Sequence, residues 1–218
     1  MAMAGNHRLG SILLISIVCL ACWVNFSRAG DIQWPVFGRD TVLVWKIHNQ
    51  GFTSEFVVRI AEFFPNRFVE WEDMVTQGTV FMPYHDIREA KGFSSSLFEA
   101  GMDIQTKDVT ALWLSQKLFR ELKEKKKAKY EIDRVRGWLT LAGSDQLSVD
   151  VNHSPMVFPV IRVLDDRKAE RWFLDQEDNP LMVQHLVRQY RQTLESITTN
   201  RPNTLRWIKG KKLVHLLQ

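Results

Sequence analysis

The feature that most constrains the fold is a run of short segments that are rich in β-branched and aromatic residues, some of them with alternating apolar and polar side chains. Between residues 41 and 82, four such segments follow one another at intervals of about ten residues. Turn signals separate them, among them Asn49-Gln50-Gly51 and Pro65-Asn66. Successive side chains of a strand point to opposite faces of a sheet, so the pattern is typical of strands with one buried face. The predicted strands are residues 41–47, 55–64, 68–73 and 79–82.

The second half of the chain repeats this pattern. Gly143-Ser144-Asp145 is expected to be a turn between two strands. Residues 157–164 contain Pro159, whose missing N–H favours an edge strand or a bulged one. The other strands predicted here are residues 128–133, 138–142, 146–152 and 169–175. Together the segments predict a mainly β protein of the α+β type, with an antiparallel curved sheet or half-barrel.

One stretch has helical periodicity instead. Leu114, Leu118 and Leu122 fall on one helix face, and Ser115 is a favourable N-cap residue. Lysine, arginine and glutamate side chains pair at i,i+4 along the opposite face. The sequence therefore predicts one amphipathic helix over about residues 115–127.

Residues 183–197 allow two interpretations. Asn179-Pro180 is a good helix start and apolar residues follow at helical spacing, yet β-branched residues equally favour two strands joined near Gln189. The preceding segment RWFLDQEDNPL, residues 171–181, resembles the strand–turn–strand close of secreted bacterial β-rich domains of unknown function. The resemblance extends over residues 171–199, contains no catalytic residue and implies strands for the ambiguous segment.

An uncharged and mostly apolar segment lies near the N-terminus, from Leu9 to Ser27. Its dense apolar core has the length of a signal-peptide core, and Ser27-Arg28-Ala29 places small residues at the −3 and −1 positions of a cleavage site. Two alternatives are an uncleaved membrane anchor over residues 9–26 and lipid attachment at Cys22. We expect an exported protein that is periplasmic, or anchored and facing the periplasm.

The predicted domain organisation has three parts. Residues 1–29 form the signal peptide or anchor, 30–200 a single β-rich globular domain, and 201–218 a basic C-terminal tail. Both cysteines, Cys19 and Cys22, lie in the first part, which excludes disulfides and thiol catalysis from the rest. Beyond the leader, 27 basic and 25 acidic residues nearly balance, which argues against nucleic-acid binding. Eight Trp and thirteen Phe favour a β core or an apolar ligand cavity.

An acidic cluster is the best candidate for a metal site. Asp165, Asp166, Asp175 and Glu177 lie in two neighbouring turns whose carboxylates could converge on Ca²⁺. The spacing after Asp175 copies the start of a calcium loop, but Pro180 replaces the glycine that such a loop requires.

The basic tail is a candidate docking segment for a partner protein or a lipid surface, because it carries cations and one large aromatic residue. Its candidate contact residues are Arg206, Trp207, Lys209, Lys211 and Lys212.

No catalytic or cofactor motif is recognisable in the sequence. A nucleophile elbow, a phosphate-binding glycine loop and a zinc-binding His-Glu-x-x-His are all absent, and no cofactor is predicted. This favours a non-catalytic cell-envelope protein that binds an apolar ligand or an envelope protein, including an accessory subunit of a membrane complex. The alternative is an exported hydrolase whose site gathers distant residues, for which His48, His85, Asp86 and His153 are the candidates.

Overall fold

The computed structural model describes residues 34–94, 98, 103–132 and 135–199. Except for Trp34, all of these belong to one compact unit, Pro35–Gln218. The predicted signal or anchor segment and the basic tail lie outside the described residues. No helix within the described ranges is long and apolar enough to cross a bilayer.

The described residues form a large sheet of thirteen strands, which confirms the mainly β prediction. The strands of the first half are β1 (Thr41–Asn49), β2 (Phe52–Glu62), β3 (Arg67–Glu72), β4 (Gln77–Met82), β5 (Gly92–Phe93), β6 (Asp103–Gln105) and β7 (Val109–Thr110). Those of the second half are β8 (Lys127–Ile132), β9 (Val135–Val151), β10 (Ser154–Asp165), β11 (Glu170–Leu174), β12 (Met182–Val187) and β13 (Tyr190–Thr198).

Strand β13 joins the two halves of the sheet. Its neighbours are β1 on one side and β12 on the other, both antiparallel. At its end it also pairs in parallel with β9, where Ser196 lies opposite Asp150 and Ile197 opposite Val151. The pairings from β9 through β13 therefore close on themselves, while β1–β4 extend the sheet beyond β13.

Two helices lie among the described residues. The predicted amphipathic helix is α2 (Gln116–Lys125), and it buries Leu118, Phe119 and Leu122. The Ser115 hydroxyl accepts a hydrogen bond from the Leu118 N–H and so caps the helix as expected. The short helix α1 (Tyr84–Glu89) was not predicted, because six residues are too few to show an apolar period.

The predicted turn at residues 143–145 is wrong. Strand β9 runs through it without interruption, because β10 offers a partner to Gly143, Ser144 and Asp145. The glycine marks a bulge instead. The register shifts beside it, so that Arg162 pairs with Gly143 and Val163 with Leu141.

The prediction of an edge position for the strand with Pro159 is also wrong, since β10 lies between β9 and β11. The proline is accommodated because β11 has ended at its level. Its carbonyl accepts from the Asp175 N–H, one residue beyond Leu174, so the missing N–H lies just past the end of the β10–β11 ladder.

The strand interpretation of residues 183–197 is confirmed. Strands β12 and β13 are antiparallel, and a turn at residues 188–189 joins them next to the Gln189 position expected from the sequence. The resemblance to secreted bacterial domains stays a prediction.

Candidate functional site

A cavity of about 540 Å³ lies between the strands of the two halves of the sheet. Its deepest walls are large apolar side chains that are almost fully buried. These are Phe56 on β2, Trp71 on β3, Phe93 on β5, Leu112 and Met182. Because these residues come from separate segments of the chain, the cavity exists only when the long-range pairings of the sheet have formed.

Aromatic rings pack closely along this wall. The Phe98 ring meets Phe56 edge-on with centroids 4.9 Å apart, and it meets Trp71 in the same way at 5.6 Å. Trp45 stands behind Phe56 at 5.9 Å. Such edge-to-face contacts fix ring positions, so the cavity has a defined aromatic wall.

The exposed lining residues show where the cavity opens. Asn49 ends β1, Asp73 follows β3, and Val187 and Tyr190 flank the turn between β12 and β13. All four are exposed or half-buried, whereas the aromatic wall is buried. The cavity therefore opens toward these three hairpin turns.

The polar groups at the opening are engaged in local hydrogen bonds. Asp73 Oδ1 accepts from the backbone N–H groups of Val75 and Thr76 at 2.8 and 2.7 Å. Burial raises the pKa of Asp73, but these hydrogen bonds outweigh it and lower the pKa below its ordinary value. The Tyr190 hydroxyl donates to Gln192 at 3.0 Å, and burial raises the pKa of Tyr190, so the phenol is neutral at ordinary pH.

One donor on the cavity wall lacks a protein acceptor. The Nε1–H of Trp71 is buried and has no hydrogen-bond partner among the described residues. Most buried N–H groups are paired, so an exception asks for an explanation. A ligand oxygen reaching this N–H would satisfy it.

The predicted calcium ligands fall into two pairs at opposite ends of β11. In the first, Asp165 accepts from the backbone N–H groups of Arg167 and Ala169, and pairs with Arg171 at 3.0 Å. Its neighbour Asp166 accepts from the Trp138 N–H at 2.8 Å. Both carboxylates thus organise their own turn and the strand beside it.

The second pair faces helix α2. Asp175 binds Lys123 at 2.7 Å, and Glu177 binds Arg120 at 2.9 Å. Among the described residues no group of three or more acidic, histidine or cysteine side chains could hold a metal ion. The calcium site stays a prediction, and each of its four carboxylates is explained by a protein partner.

The residues considered for a hydrolase lie on separate elements. His48 is near the end of β1 and bonds to Thr53 at 2.9 Å, His85 is exposed on α1, and His153 lies in the turn between β9 and β10. Asp86 is buried and accepts from the Thr106 hydroxyl at 2.6 Å, which ties α1 to the segment before β7. The predicted docking residues 206–212 lie outside the described residues.

Tyr130 on β8 gives a prediction for alkaline pH. Burial, and next the charge of Asp165, raise the pKa of Tyr130 to about 12 from 10.0. The folded protein therefore holds this proton more tightly than the unfolded chain between these values. We expect the free energy of unfolding to fall as the pH rises from about 10 toward 12, and to fall less steeply in Tyr130→Phe. Denaturant unfolding at each pH measures both slopes, and equal slopes would contradict the assignment.

The wall residues could not be identified as a site from the sequence. Phe56 and Trp71 were expected on strands, but their convergence depends on which strands pair. The only sequence signal for the cavity was the aromatic content. Comparison with protein-family models, curated proteins and solved structures returns no match to this chain.

Proposed function

We propose that this chain is an exported, non-catalytic cell-envelope protein that binds one apolar molecule in the cavity lined by Phe56 and Trp71. The observation that carries the proposal is the cavity itself, with its buried aromatic wall and its size of about 540 Å³. Cavities of a few hundred cubic ångströms with apolar walls and few polar groups are typical of small-molecule sites.

The distribution of polar groups indicates the kind of ligand. The deep wall is mostly aromatic and aliphatic, with Ser94, His185 and Gln192 as its buried polar residues. Asn49, Asp73 and Tyr190 lie at the opening. A molecule with an apolar body and a small polar end fits this arrangement, with its polar end toward solvent. Hydrophobic burial would supply most of the affinity.

Export and membrane association complete the proposal. Residues 1–29 would act as a signal peptide, or residues 9–26 as an anchor, and either would place the domain at the envelope. The predicted curved sheet or half-barrel would hold the ligand, and an envelope protein or a lipid would be the partner.

Filling the cavity opening tests this function. Ile47 is half-buried, lies on β1 and lines the cavity, so Ile47→Trp should obstruct it. We expect this variant to bind a pyrene-labelled long-chain fatty acid at least about tenfold more weakly than the wild type, a difference of about 1.4 kcal/mol. Fluorescence titration of the full chain measures the affinity.

The matched control is Val44→Trp. Val44 is also half-buried on β1, but it lies on the opposite face of the strand and does not line the cavity. Its affinity should stay within about twofold of the wild type. Equal affinities for all three proteins, or no binding by the wild type, would contradict the proposal.

A further inference from the structure

Two of the three turns around the cavity opening carry exposed apolar side chains. Phe52 at the start of β2 is 80% exposed, and Met74 and Val75 in the turn after β3 are 74% and 87% exposed. These are among the most exposed large apolar residues that the structure describes. Scattered single residues of this kind are ordinary, but these three flank one cavity opening.

The strand register places these turns at one end of the sheet. Asn49 pairs with Phe52 in β2 and with Tyr190 in β13, so the β1–β2 and β12–β13 turns are neighbours. Strand β3 runs toward this side, because Phe68 near its start pairs with Glu62 at the end of β2 and its last residue, Glu72, pairs with Val57 in the middle of β2. We call this end, comprising residues 50–52, 73–76, 166–169 and 188–191, the opening end.

The opening end also carries cations that are not neutralised. Arg188 and Arg191 belong to the β12–β13 turn and its flank. Arg167 and Lys168 lie in the β10–β11 turn, which is at the same end because Glu170 pairs with Leu186. All four are exposed, and no described carboxylate lies within ion-pair distance of any of them.

The acidic groups at this end offset only part of the charge. The carboxylates of Asp73 and Asp166, which accept hydrogen bonds from backbone N–H groups, stand against four cations. By contrast, Arg120 and Lys123 on α2 are each paired with a carboxylate. Four cations without a described carboxylate partner therefore lie where the cavity opens and where apolar side chains protrude.

We propose that the opening end docks on an anionic lipid bilayer, so that the cavity exchanges its ligand directly with the membrane. Lysine and arginine near a bilayer attract anionic headgroups, and apolar side chains beside them gain by entering the interface. The occupant is a lipid surface because both features lie at the same opening. This inference rests on the proposed function, since it assumes an apolar ligand to exchange.

Two measurements on the full chain test the docking. The first is flotation with vesicles of phosphatidylcholine alone or with about one third phosphatidylglycerol. The second is the rate at which bound pyrene-labelled fatty acid moves from the protein to the same vesicles. We expect at least about tenfold faster transfer to the anionic vesicles, with a rate that rises with vesicle concentration.

Charge reversal identifies the surface responsible. Arg188→Glu combined with Arg191→Glu should reduce flotation and transfer with anionic vesicles to the phosphatidylcholine level. Arg39→Glu, which alters an exposed cation just before β1 and at the opposite end of that strand from Asn49, should leave both unchanged. Because every protein carries the same N-terminal segment, the differences report on the substituted residues.

Replacing an exposed apolar side chain by a polar one gives an independent comparison. Val75→Ser should slow transfer at least about threefold, whereas Val157→Ser, at an exposed valine on β10, should not.

The outcomes separate this inference from the function it rests on. Failure of the wild type to bind the fatty acid would overturn the cavity function. The docking proposal alone would be overturned if the wild type binds the fatty acid but transfers it at a rate that depends on neither vesicle concentration nor headgroup, and if all variants float equally. If the wild type self-associates without lipid and the combined Arg188→Glu and Arg191→Glu substitutions abolish this, the surface binds a second copy of the chain. That result would overturn the docking proposal.

Discussion

Replacing Asp165 by alanine should lower the free energy of unfolding by about 3–5 kcal/mol, the usual cost of removing one partner of a buried ion pair. Asp165 and Arg171 are both almost fully buried, and the distance between Oδ2 and Nη1 is 3.0 Å. The substitution leaves the Arg171 charge without its carboxylate. It also removes the acceptor for the N–H groups of Arg167 and Ala169. Chemical denaturation of the full chain measures the loss.

Two variants make this prediction specific. Asp166→Ala alters the adjacent carboxylate, which is exposed and accepts one backbone hydrogen bond, and should cost only about 1 kcal/mol. Asp165→Val combined with Arg171→Met removes both charges and should recover the part of the loss that comes from the unpaired Arg171 charge, but not the part that comes from the lost acceptor. If Asp165→Ala costs no more than Asp166→Ala, the ion pair does not have the structural role assigned to it.

Substituting methionine for two buried arginines should change stability in opposite directions. Arg59 lies between the carboxylates of Glu70 and Asp40, so Arg59→Met should cost about 3–5 kcal/mol. Burial raises the pKa of Glu70, and the charge of Arg59 lowers it. Without Arg59 the pKa of Glu70 should rise further, so the carboxylate should bind a proton more readily in the variant.

Arg67 has a different environment. Its Nε and Nη1 have no hydrogen-bond partner within the described part of the chain, and Nη2 donates to the carbonyl of Asp178 at 2.9 Å. Its guanidinium stacks between Phe63 and Trp113, with centroid distances of 4.8 and 4.7 Å. Burial lowers the pKa of Arg67 to about 9, so the charge opposes folding.

Arg67→Met keeps an apolar stem between the two rings and removes that charge. We expect the free energy of unfolding to rise by about 1–4 kcal/mol. Denaturant unfolding of the two methionine variants under one set of conditions provides the comparison. If both variants lose stability, the prediction for Arg67 is wrong, and its charge is stabilised in the folded protein by interactions other than those described here.

Local signals made the first half of the fold predictable. Strands β1–β4 and helix α2 follow from alternation, turn residues and the Ser115 cap, which act between near neighbours. The single long strand β9 did not follow, because the segment at Gly143 is a turn signal unless β10 supplies partners for it. The parallel contact of β13 with β9 is equally non-local.

The candidate site was less predictable for the same reason. Phe56 and Trp71 were correctly expected on strands, but no local pattern shows that they share one cavity wall. Glu70 alternates with apolar neighbours as an exposed residue would, yet it is buried because Arg59 lies opposite it on β2. Charge pairing across strands, like the cavity, depends on a register that becomes known only with the structure.

The central claim is that the aromatic cavity holds an apolar molecule. Its most direct test is mass spectrometry of an organic extract from the full chain, purified from a bacterial envelope without detergent. The wild type and Val44→Trp should each yield one apolar compound at about one molecule per chain, the stoichiometry of a single pocket of this size, and Ile47→Trp should yield little of it. An equal yield from all three proteins, or no apolar compound from the wild type, would contradict the claim.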